Sequence, residues 1–311
     1  MRIRATVAAV SGALALSAFA VPGAHAADSG SAYRADVAKV REAARAADSG
    51  ESVFRAAAVA VDEPYALDVT FSNIKVNQGK SIVVGATTHT VVPVTYTLTH
   101  PVDVNIAAAD FFSGPYIYRG TFGNADNEQF GDKPGTCTPT TSTTASCKGN
   151  IDIYANEGYL ANSDAGTWKA AGLAIAYNGQ DPSSTSFDIT KVGLADQGGF
   201  TSPNVKRMSK LTVNAAPEPV VKGKTITVTG KLTRADWETN TYAGLSGQSV
   251  VLQYRKAGTT TYKNVKTIKS TSGGALKTTV TASADGFYRY TYAGVSTVGA
   301  STATGDYIDV K

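Results

Sequence analysis

A repeated turn-and-strand pattern constrains the fold of this chain more than any other feature. Residues 78–85 (QGKSIVVG) and residues 222–230 (KGKTITVTG) both pass from a Gly-Lys-Ser/Thr turn into a β-branched run. Each copy also carries a later glycine just ahead of a large aromatic residue, in residues 166–168 (GTW) and 286–288 (GFY). Because β-branched and aromatic residues favour strands, the pattern predicts two copies of one strand-rich unit.

The spacing of apolar residues after Tyr65 predicts an all-β fold. Alternation with a period of two, interrupted by Gly, Asn, Asp and Pro, marks strands joined by turns. In the first unit the predicted strands cover residues 66–76, 81–87, 91–98, 102–107, 116–121, 147–154, 167–177 and 187–192. In the second they cover residues 211–214, 224–232, 249–255, 261–270, 275–281, 287–293 and 306–310. Seven short strands in roughly 100 residues are typical of an immunoglobulin-like sandwich. We therefore predict two tandem sandwiches, residues 65–207 and 208–311.

The first 26 residues have the pattern of an export signal. Arg2 and Arg4 precede an apolar run over residues 5–21, and Ala24-His25-Ala26 supplies the small residues that signal peptidase reads. No later run of about 18 apolar residues follows, so we expect no transmembrane anchor. The sequence predicts a secreted, extracellular protein.

Residues 27–64 differ in composition from everything after them, being rich in alanine and charge. An apolar stripe recurs at intervals of three and four residues and predicts a helix from Ser31 to Ser49-Gly50; its members are Tyr33, Val37, Val40, Ala44 and Ala47. Such an isolated helix is marginal in water. Two interpretations remain open, a frayed or flexible spacer and a helix that docks on a partner.

Cys137 and Cys147 are the only cysteines, and in an exported chain their spacing predicts a disulfide across a hairpin or loop. Closing so short a loop contributes roughly 3 kcal/mol in the chain-entropy model. The repeat marks make the first copy the longer one, since Gly79 to Gly166 is 87 residues and Gly223 to Gly286 is 63. We expect the additional residues between positions 122 and 149, around the disulfide.

The second unit is mildly basic, with 12 Lys/Arg against 6 Asp/Glu over residues 211–311. This excess of basic residues is far smaller than that of a typical nucleic-acid-binding domain. It favours a screened attraction to an anionic cell-wall polymer, a polysaccharide or another extracellular protein. The candidate ligand-binding residues are Trp237, predicted to be exposed in a polar loop, together with Tyr242, Lys263, Lys266 and Lys269. The alternative is that these lysines are ordinary solubilising charge that protects a sheet edge.

Several segments resemble one family across nearly the whole mature chain. They are residues 118–121, 165–169, 210–220, 223–237, 284–290 and 305–310, with the cysteine pair. They resemble a largely uncharacterised family of secreted actinobacterial proteins with tandem immunoglobulin-like domains, some of which carry an automatic calcium-binding label. The resemblance implies the fold and says almost nothing about activity.

No catalytic motif emerges, so we predict a protein that binds rather than an enzyme, with no cofactor. The Gly-Lys-Ser/Thr turns are not phosphate loops, because Ile74 and Glu218 stand where the earlier glycine is needed and strands follow. After signal removal only His89 and His100 remain, and no Gly-x-Ser-x-Gly elbow exists. The competing class is a hydrolase with its site in the first-domain insertion. It predicts a deep pocket at residues 110–132 with convergent carboxylates and one of these histidines.

Calcium is the one metal that the sequence favours, and only as a possible loop-ordering ion. Asn124, Asp126, Glu128 and Asp132 supply hard oxygen ligands within the expected acidic loop. The EF-hand spacing fails, because Gln129 stands at the glycine position. A plain solvated acidic loop is the alternative.

Overall fold

The computed structural model describes residues 29–48 and 62–311, so the expected signal peptide and residues 49–61 lie outside the described residues. Strands make up most of the regular secondary structure of the described chain, with a single α-helix, α1, at Ser29–Asp48. The all-β prediction is therefore confirmed. No helix in the described part of the chain is long and apolar enough to cross a membrane.

The first sandwich contains eleven strands in the described residues. They are β1 (Tyr65–Ala66), β2 (Thr70–Val76), β3 (Ile82–Val84), β4 (His89–Thr99), β5 (Phe111–Thr121), β6 (Asn124–Phe130), β7 (Thr136–Pro139), β8 (Thr144–Tyr154), β9 (Lys169–Ala176), β10 (Gly193–Thr201) and β11 (Val205–Arg207). One sheet has the order β2-β4-β8-β7 and the other β1-β10-β9-β5-β6, while β3 pairs in parallel with β11. This two-sheet arrangement is that of an immunoglobulin-like sandwich.

The second sandwich contains ten strands in the described residues. They are β12 (Ser209–Leu211), β13 (Asn214–Ala216), β14 (Thr225–Asp236), β15 (Thr241–Gly244), β16 (Ser249–Lys256), β17 (Lys263–Lys269), β18 (Ala275–Thr281), β19 (Gly286–Tyr292), β20 (Ser301–Thr302) and β21 (Asp306–Ile308). In one sheet β14 pairs with β12, β13, β15 and β18. The other has the order β17-β16-β19-β20, with β21 also on β19. Alternation along β19 buries Tyr288, Tyr290 and Tyr292 in the core, as their spacing predicts.

The repeated glycine turns occupy the conformation that explains their residue type. Gly79 has φ +79° and Gly223 has φ +82°, a left-handed backbone that glycine adopts without a Cβ clash. In both copies the turn leads directly into a strand, β3 or β14, whose β-branched residues alternate between core and surface. These turns are therefore strand entries and not phosphate loops.

Two predicted strands of the first unit are wrong, and four observed strands of that unit have no prediction. Residues 102–107 form turns, and the 3₁₀ turn Ile189–Lys191 stands where a strand over residues 187–192 was expected. The unpredicted strands are β6, β7, β10 and β11. The disulfide joins Cys137 on β7 to Cys147 on β8, which are directly opposite in the antiparallel register. It closes a hairpin, as expected.

The two sandwiches share a continuous apolar core where they meet. Strand β11 ends at Arg207 and β12 begins at Ser209, so Met208 alone separates the units. The Met208 amide donates to the Val84 carbonyl, and the Ala235 amide donates to the Met208 carbonyl. Strand β14 then carries Ala235 and Trp237 into the first-sandwich core. This close junction leaves no linker between the units.

Candidate functional site

The outer faces of two equivalent sheets are the most distinctive surfaces of the molecule. In the first sandwich β5 and β9 form the sheet centre, and in the second β16 and β19 do so. The repeat marks make the pairs equivalent, since Gly166 lies just before β9 and Gly286 begins β19. Each central pair has one face toward its sandwich core and the other pointing outward. The two units differ in whether another element covers this outward face.

Helix α1 covers the outward face of the first sandwich. Val37 and Val40, the centre of its predicted stripe, are 3% and 0% exposed. They pack in a cluster with aromatic and aliphatic residues of β5 and β9, which include Tyr116, Tyr118, Ala171, Leu173 and Ile175. The helix begins at Ser29, two residues earlier than predicted, and ends at Asp48. Its contacts favour the docking-helix interpretation, with the chain's own sheet as the partner.

A buried arginine anchors the helix on that face. Arg41 is 5% exposed, and its Nη1 and Nη2 donate to the two Glu128 carboxylate oxygens at 2.7 and 2.9 Å. Its Nε donates to Asp196 at 2.9 Å, and the Tyr116 hydroxyl donates to the other Asp196 oxygen at 2.7 Å. Burial opposes ionisation of Glu128, but hydrogen bonds and charge from Arg41 and Arg45 outweigh it and lower the Glu128 pKa. Every formal charge in the cluster therefore has a partner.

A second polar cluster lies near the start of the helix. His89 Nε2 lies 2.7 Å from Asp152 Oδ1, and the imidazole stacks on Tyr154 with ring centroids 4.1 Å apart. The Asp132 amide donates to Asp152 Oδ2, while the Tyr154 hydroxyl donates to Asp132 Oδ2. From the helix, Arg34 Nε lies 2.8 Å from Asp132 Oδ1. The Tyr154 pKa is raised, first by its hydrogen bond to Asp132 and then by burial.

The acidic loop predicted for calcium is wrong as a loop, because residues 124–130 form strand β6. Asn124, Asp126 and Glu128 lie on this strand, and Glu128 is engaged by two arginines of the helix. Asp132 is drawn instead into the cluster with His89. Within the described ranges, His89, Asp132 and Asp152 are the three metal-ligating side chains that lie close enough together to share an ion.

The hydrolase alternative finds part of its expected constellation. His89 does meet two carboxylates, but the neighbouring cavity of about 510 Å³ is open, and His89 is not among its lining residues, which include Tyr33, Phe112 and Asp132. His89 Nε2 is bonded to a carboxylate and not to a hydroxyl or thiol nucleophile. His100 is buried elsewhere, where its Nδ1 donates to the Pro101 carbonyl. The predicted deep catalytic pocket is not formed by the described residues.

The outward face of the second sandwich has no covering element among the described residues and displays arginine and aromatic side chains. The Arg289 guanidinium lies 3.7 Å from the Tyr262 ring centre, and the Arg255 guanidinium lies 5.3 Å from it. Arg255 also lies 4.1 Å from the ring centre of Phe287, which packs on Tyr307. Arg289 donates to the Gln253 side chain and Arg255 to the Thr259 carbonyl, neither of them a carboxylate. We call these residues the open face.

The prediction that Trp237 is exposed is wrong. Its side chain is 1% exposed, and Nε1 donates to the Gly85 carbonyl at 3.0 Å inside the first sandwich. The physical reason is that β14 continues to Asp236, beyond the expected end at Leu232, and delivers the indole into the shared core. Tyr242 is half-buried at the same junction, where Lys210 covers its ring. Neither aromatic forms a ligand platform with the lysines.

The three candidate lysines lie on β17, an edge strand, and all are exposed. The strand register places Lys266 and Lys269 on different faces of the sheet. Lys266 is opposite the buried Leu252, whereas Lys269 is opposite the exposed Ser249. Lys266 Nζ donates to the Thr279 carbonyl of the other sheet. An inward-pointing lysine on an edge strand blocks pairing with another sheet. This position favours the protective interpretation for Lys266.

Comparisons with known proteins leave the identity of the chain open. No family model matches it, and no curated protein matches it. Among solved structures, it is similar to the adhesin InvE of Yersinia pseudotuberculosis, with 11% identity over 78% of this chain and 58% of InvE and a TM-score of 0.23. The D0-D1 domain of intimin is 15% identical over 76% of this chain and 98% of the intimin domain, with a TM-score of 0.23. The ectodomain of mouse nectin-like molecule 4 is 10% identical over 79% of this chain and 65% of the ectodomain, with a TM-score of 0.20. Scores this low carry no argument about function, and the fold assignment rests on the strand order.

Proposed function

We propose that this chain is an exported, non-catalytic binding protein whose open face holds a carboxylate-bearing or phosphate-bearing polymer of the cell envelope. The carrying observation is the pair Arg255 and Arg289, which flank Tyr262 without any carboxylate partner in the described structure. Guanidinium groups bind carboxylate and phosphate in a planar, bidentate geometry. Arginine and aromatic residues are also enriched at the centres of binding interfaces.

The charge balance of the second sandwich supports an anionic partner. Its 12 basic against 6 acidic residues attract anions over a distance set by ionic strength. Residues 65–210, which comprise the first sandwich and the start of β12, have 10 basic against 12 acidic residues and lack this bias. Binding is therefore expected to weaken as salt rises, and to depend on the second sandwich.

The binding test uses the untagged chain from Ala27 to Lys311 and beads carrying polygalacturonate, a carboxylate polymer. Fully methyl-esterified polygalacturonate beads are the neutral control, and polyphosphate beads distinguish phosphate from carboxylate recognition. We expect retention on one or both anionic supports at low salt and none on the ester. Equal retention on the neutral polymer, or none on either anionic support, contradicts the proposal.

A matched pair of variants locates the site. Arg255→Glu with Arg289→Glu reverses the open-face charge and is expected to lower affinity at least about tenfold. Lys222→Glu with Lys224→Glu makes the same net-charge change at exposed turn positions, so it controls for long-range attraction. The two double variants behaving alike overturns the assignment to the open face.

Export rests on the sequence pattern of residues 1–26 and on a disulfide that suits an oxidising compartment. N-terminal sequencing of protein from the culture medium of an expressing actinobacterium tests it. We expect the mature chain to begin at Ala27. Protein found only inside the cell with residues 1–26 still attached contradicts export.

A further inference from the structure

The cluster of His89, Asp132 and Asp152 combines ligands from three separate elements. His89 begins β4, Asp152 lies on β8, and Asp132 follows the end of β6. One nitrogen and two carboxylate oxygens from them all lie within 4.8 Å of one another. Two ligands of one zinc ion, each at about 2.0–2.2 Å, are separated by no more than about 4.4 Å. Small side-chain rotations therefore suffice to place all three on one ion.

We propose that these three side chains form a site for a divalent transition metal, with Zn²⁺ as the representative ion. The imidazole ligand indicates which class of metal ion would bind. Calcium and magnesium select oxygen ligands, whereas zinc and other first-row transition metals accept imidazole together with carboxylate. His89 is 40% exposed, which leaves the ion a path from solvent and room for a water ligand. The site goes beyond the proposed binding role and lies in the other sandwich.

Surrounding contacts hold each ligand while leaving one oxygen of each carboxylate for the ion. The Asp132 amide holds Asp152 Oδ2, and the Tyr154 hydroxyl holds Asp132 Oδ2. Tyr154 also fixes the imidazole plane, since the two rings are within 6° of parallel. These are the supporting contacts that orient metal ligands in proteins. Asp152 Oδ1 and Asp132 Oδ1 are left to face His89 and Arg34.

Among the described residues, Arg34 is the cation that pairs with a ligand carboxylate and so competes with a metal ion. Its Nε lies 2.8 Å from Asp132 Oδ1, yet it is not aligned for a hydrogen bond to any acceptor. The guanidinium is held separately by donation from Nη2 to the carbonyls of Phe130 and Asp152. Asp132 Oδ1 can therefore turn toward a metal while Arg34 keeps its place. Two carboxylates and one arginine leave a net charge of −1 to receive the cation.

The test is a titration of the untagged mature chain with Zn²⁺ by calorimetry and with Co²⁺ by visible absorbance. We expect one equivalent to bind, with Co²⁺ giving the d–d bands of a nitrogen- and oxygen-ligated ion. Calcium and magnesium titrations are the selectivity arms, and we expect at least about a hundredfold weaker binding from the ligand preferences above. Absence of any Zn²⁺ or Co²⁺ binding, or calcium binding as tightly as zinc, overturns the proposal.

His89→Ala and His100→Ala form a matched pair, since these are the two histidines of the mature chain. Circular dichroism first checks that both variants fold. Because His89 is 40% exposed, we expect His89→Ala to fold normally and to lower Zn²⁺ affinity at least about tenfold. His100→Ala is expected to keep wild-type affinity. Wild-type affinity in His89→Ala, or an equal loss in both variants, contradicts the site.

Discussion

The two sandwiches treat the same sheet face in opposite ways. In the first, helix α1 covers the face and Arg41 is buried among Glu128, Asp196 and Tyr116. In the second, the face is open, and its arginines stack on aromatic rings without a carboxylate. The corresponding sheet face is therefore a closed, charge-neutralised interface in one sandwich and an available, positively charged surface in the other.

The residues on each face explain the difference. The covered face is formed by aromatic and aliphatic side chains such as Tyr116, Leu173 and Ile175, which would expose a large apolar patch without the helix. The open face interleaves polar Gln253 and Thr291 with its aromatic residues, so water solvates it readily. Covering is needed in the first sandwich and not in the second.

Val40→Asp should give the largest effect, because it places an unpaired carboxylate at a position that is 0% exposed. We expect α1 to leave the sheet at a cost of more than about 4 kcal/mol. Hydrogen exchange should then accelerate in α1, β5 and β9 and stay unchanged in β16 and β19. Ala38→Asp adds the same charge on the exposed side of the helix and should leave exchange at wild-type rates. Unchanged exchange in Val40→Asp contradicts helix docking.

Arg41→Met separates the buried ion pairs from the exposed one. Removing the guanidinium leaves Asp196 without a positive partner and Glu128 with Arg45 alone, in a largely buried site, which should cost about 3 kcal/mol of unfolding free energy. Arg45→Met removes a pair whose arginine is 45% exposed and should cost less than about 1 kcal/mol. Urea denaturation of both variants measures the difference. Equal losses would show that burial of the network does not decide its contribution.

Lowering the pH should destabilise the docking of α1 on the covered face before it affects the open face. The Glu128 pKa is lowered below its ordinary 4.5, so Glu128 contributes stability that is complete above that value. The contribution is lost as pH falls through the lowered folded-state pKa. Hydrogen exchange of α1 across acidic pH measures the loss, and Glu128→Gln should remove this part of the pH dependence. A pH profile that is the same in the variant contradicts the assignment.

Arg255→Ala with Arg289→Ala should have the smallest effect on stability. These partly exposed side chains make no ion pair in the described structure, so truncation should change the unfolding free energy by about 0.5 kcal/mol or less per residue. Thermal denaturation measures this, and the anionic-polymer beads measure binding on the same samples. A large loss of stability would mean that the open-face arginines hold the fold.

The sequence predicts those elements whose apolar residues alternate against their own core. The β-branched run of β14 and the tyrosines of β19 are examples, and the stripe of Val37 and Val40 predicts α1. Strand β6 is not predicted because its residues are mostly polar, and Glu128 binds two arginines of the helix rather than apolar neighbours.

The candidate sites could not be predicted fully from the sequence, because their residues contact partners that are far away in the chain. Trp237 reaches the Gly85 carbonyl, 152 positions away in sequence, and no local pattern reports that contact. Asp152 gives no signal either, because alternation with Ile151 and Ile153 predicts that its carboxylate points to solvent, whereas the fold buries it. Arg34, Arg41 and Asp196 also give no local pattern, so their pairing follows only from the fold.

Hydroxyl-radical footprinting of the untagged mature chain tests the covered-versus-open comparison most directly. Tyr116 and Tyr118, which are 0% and 1% exposed, should stay unmodified, while Tyr307, 40% exposed, should react together with Tyr262 and Phe287. Bound anionic polymer should protect the second group without changing the first. Comparable labelling of both faces in the free protein, or polymer protection confined to the first sandwich, would contradict the account.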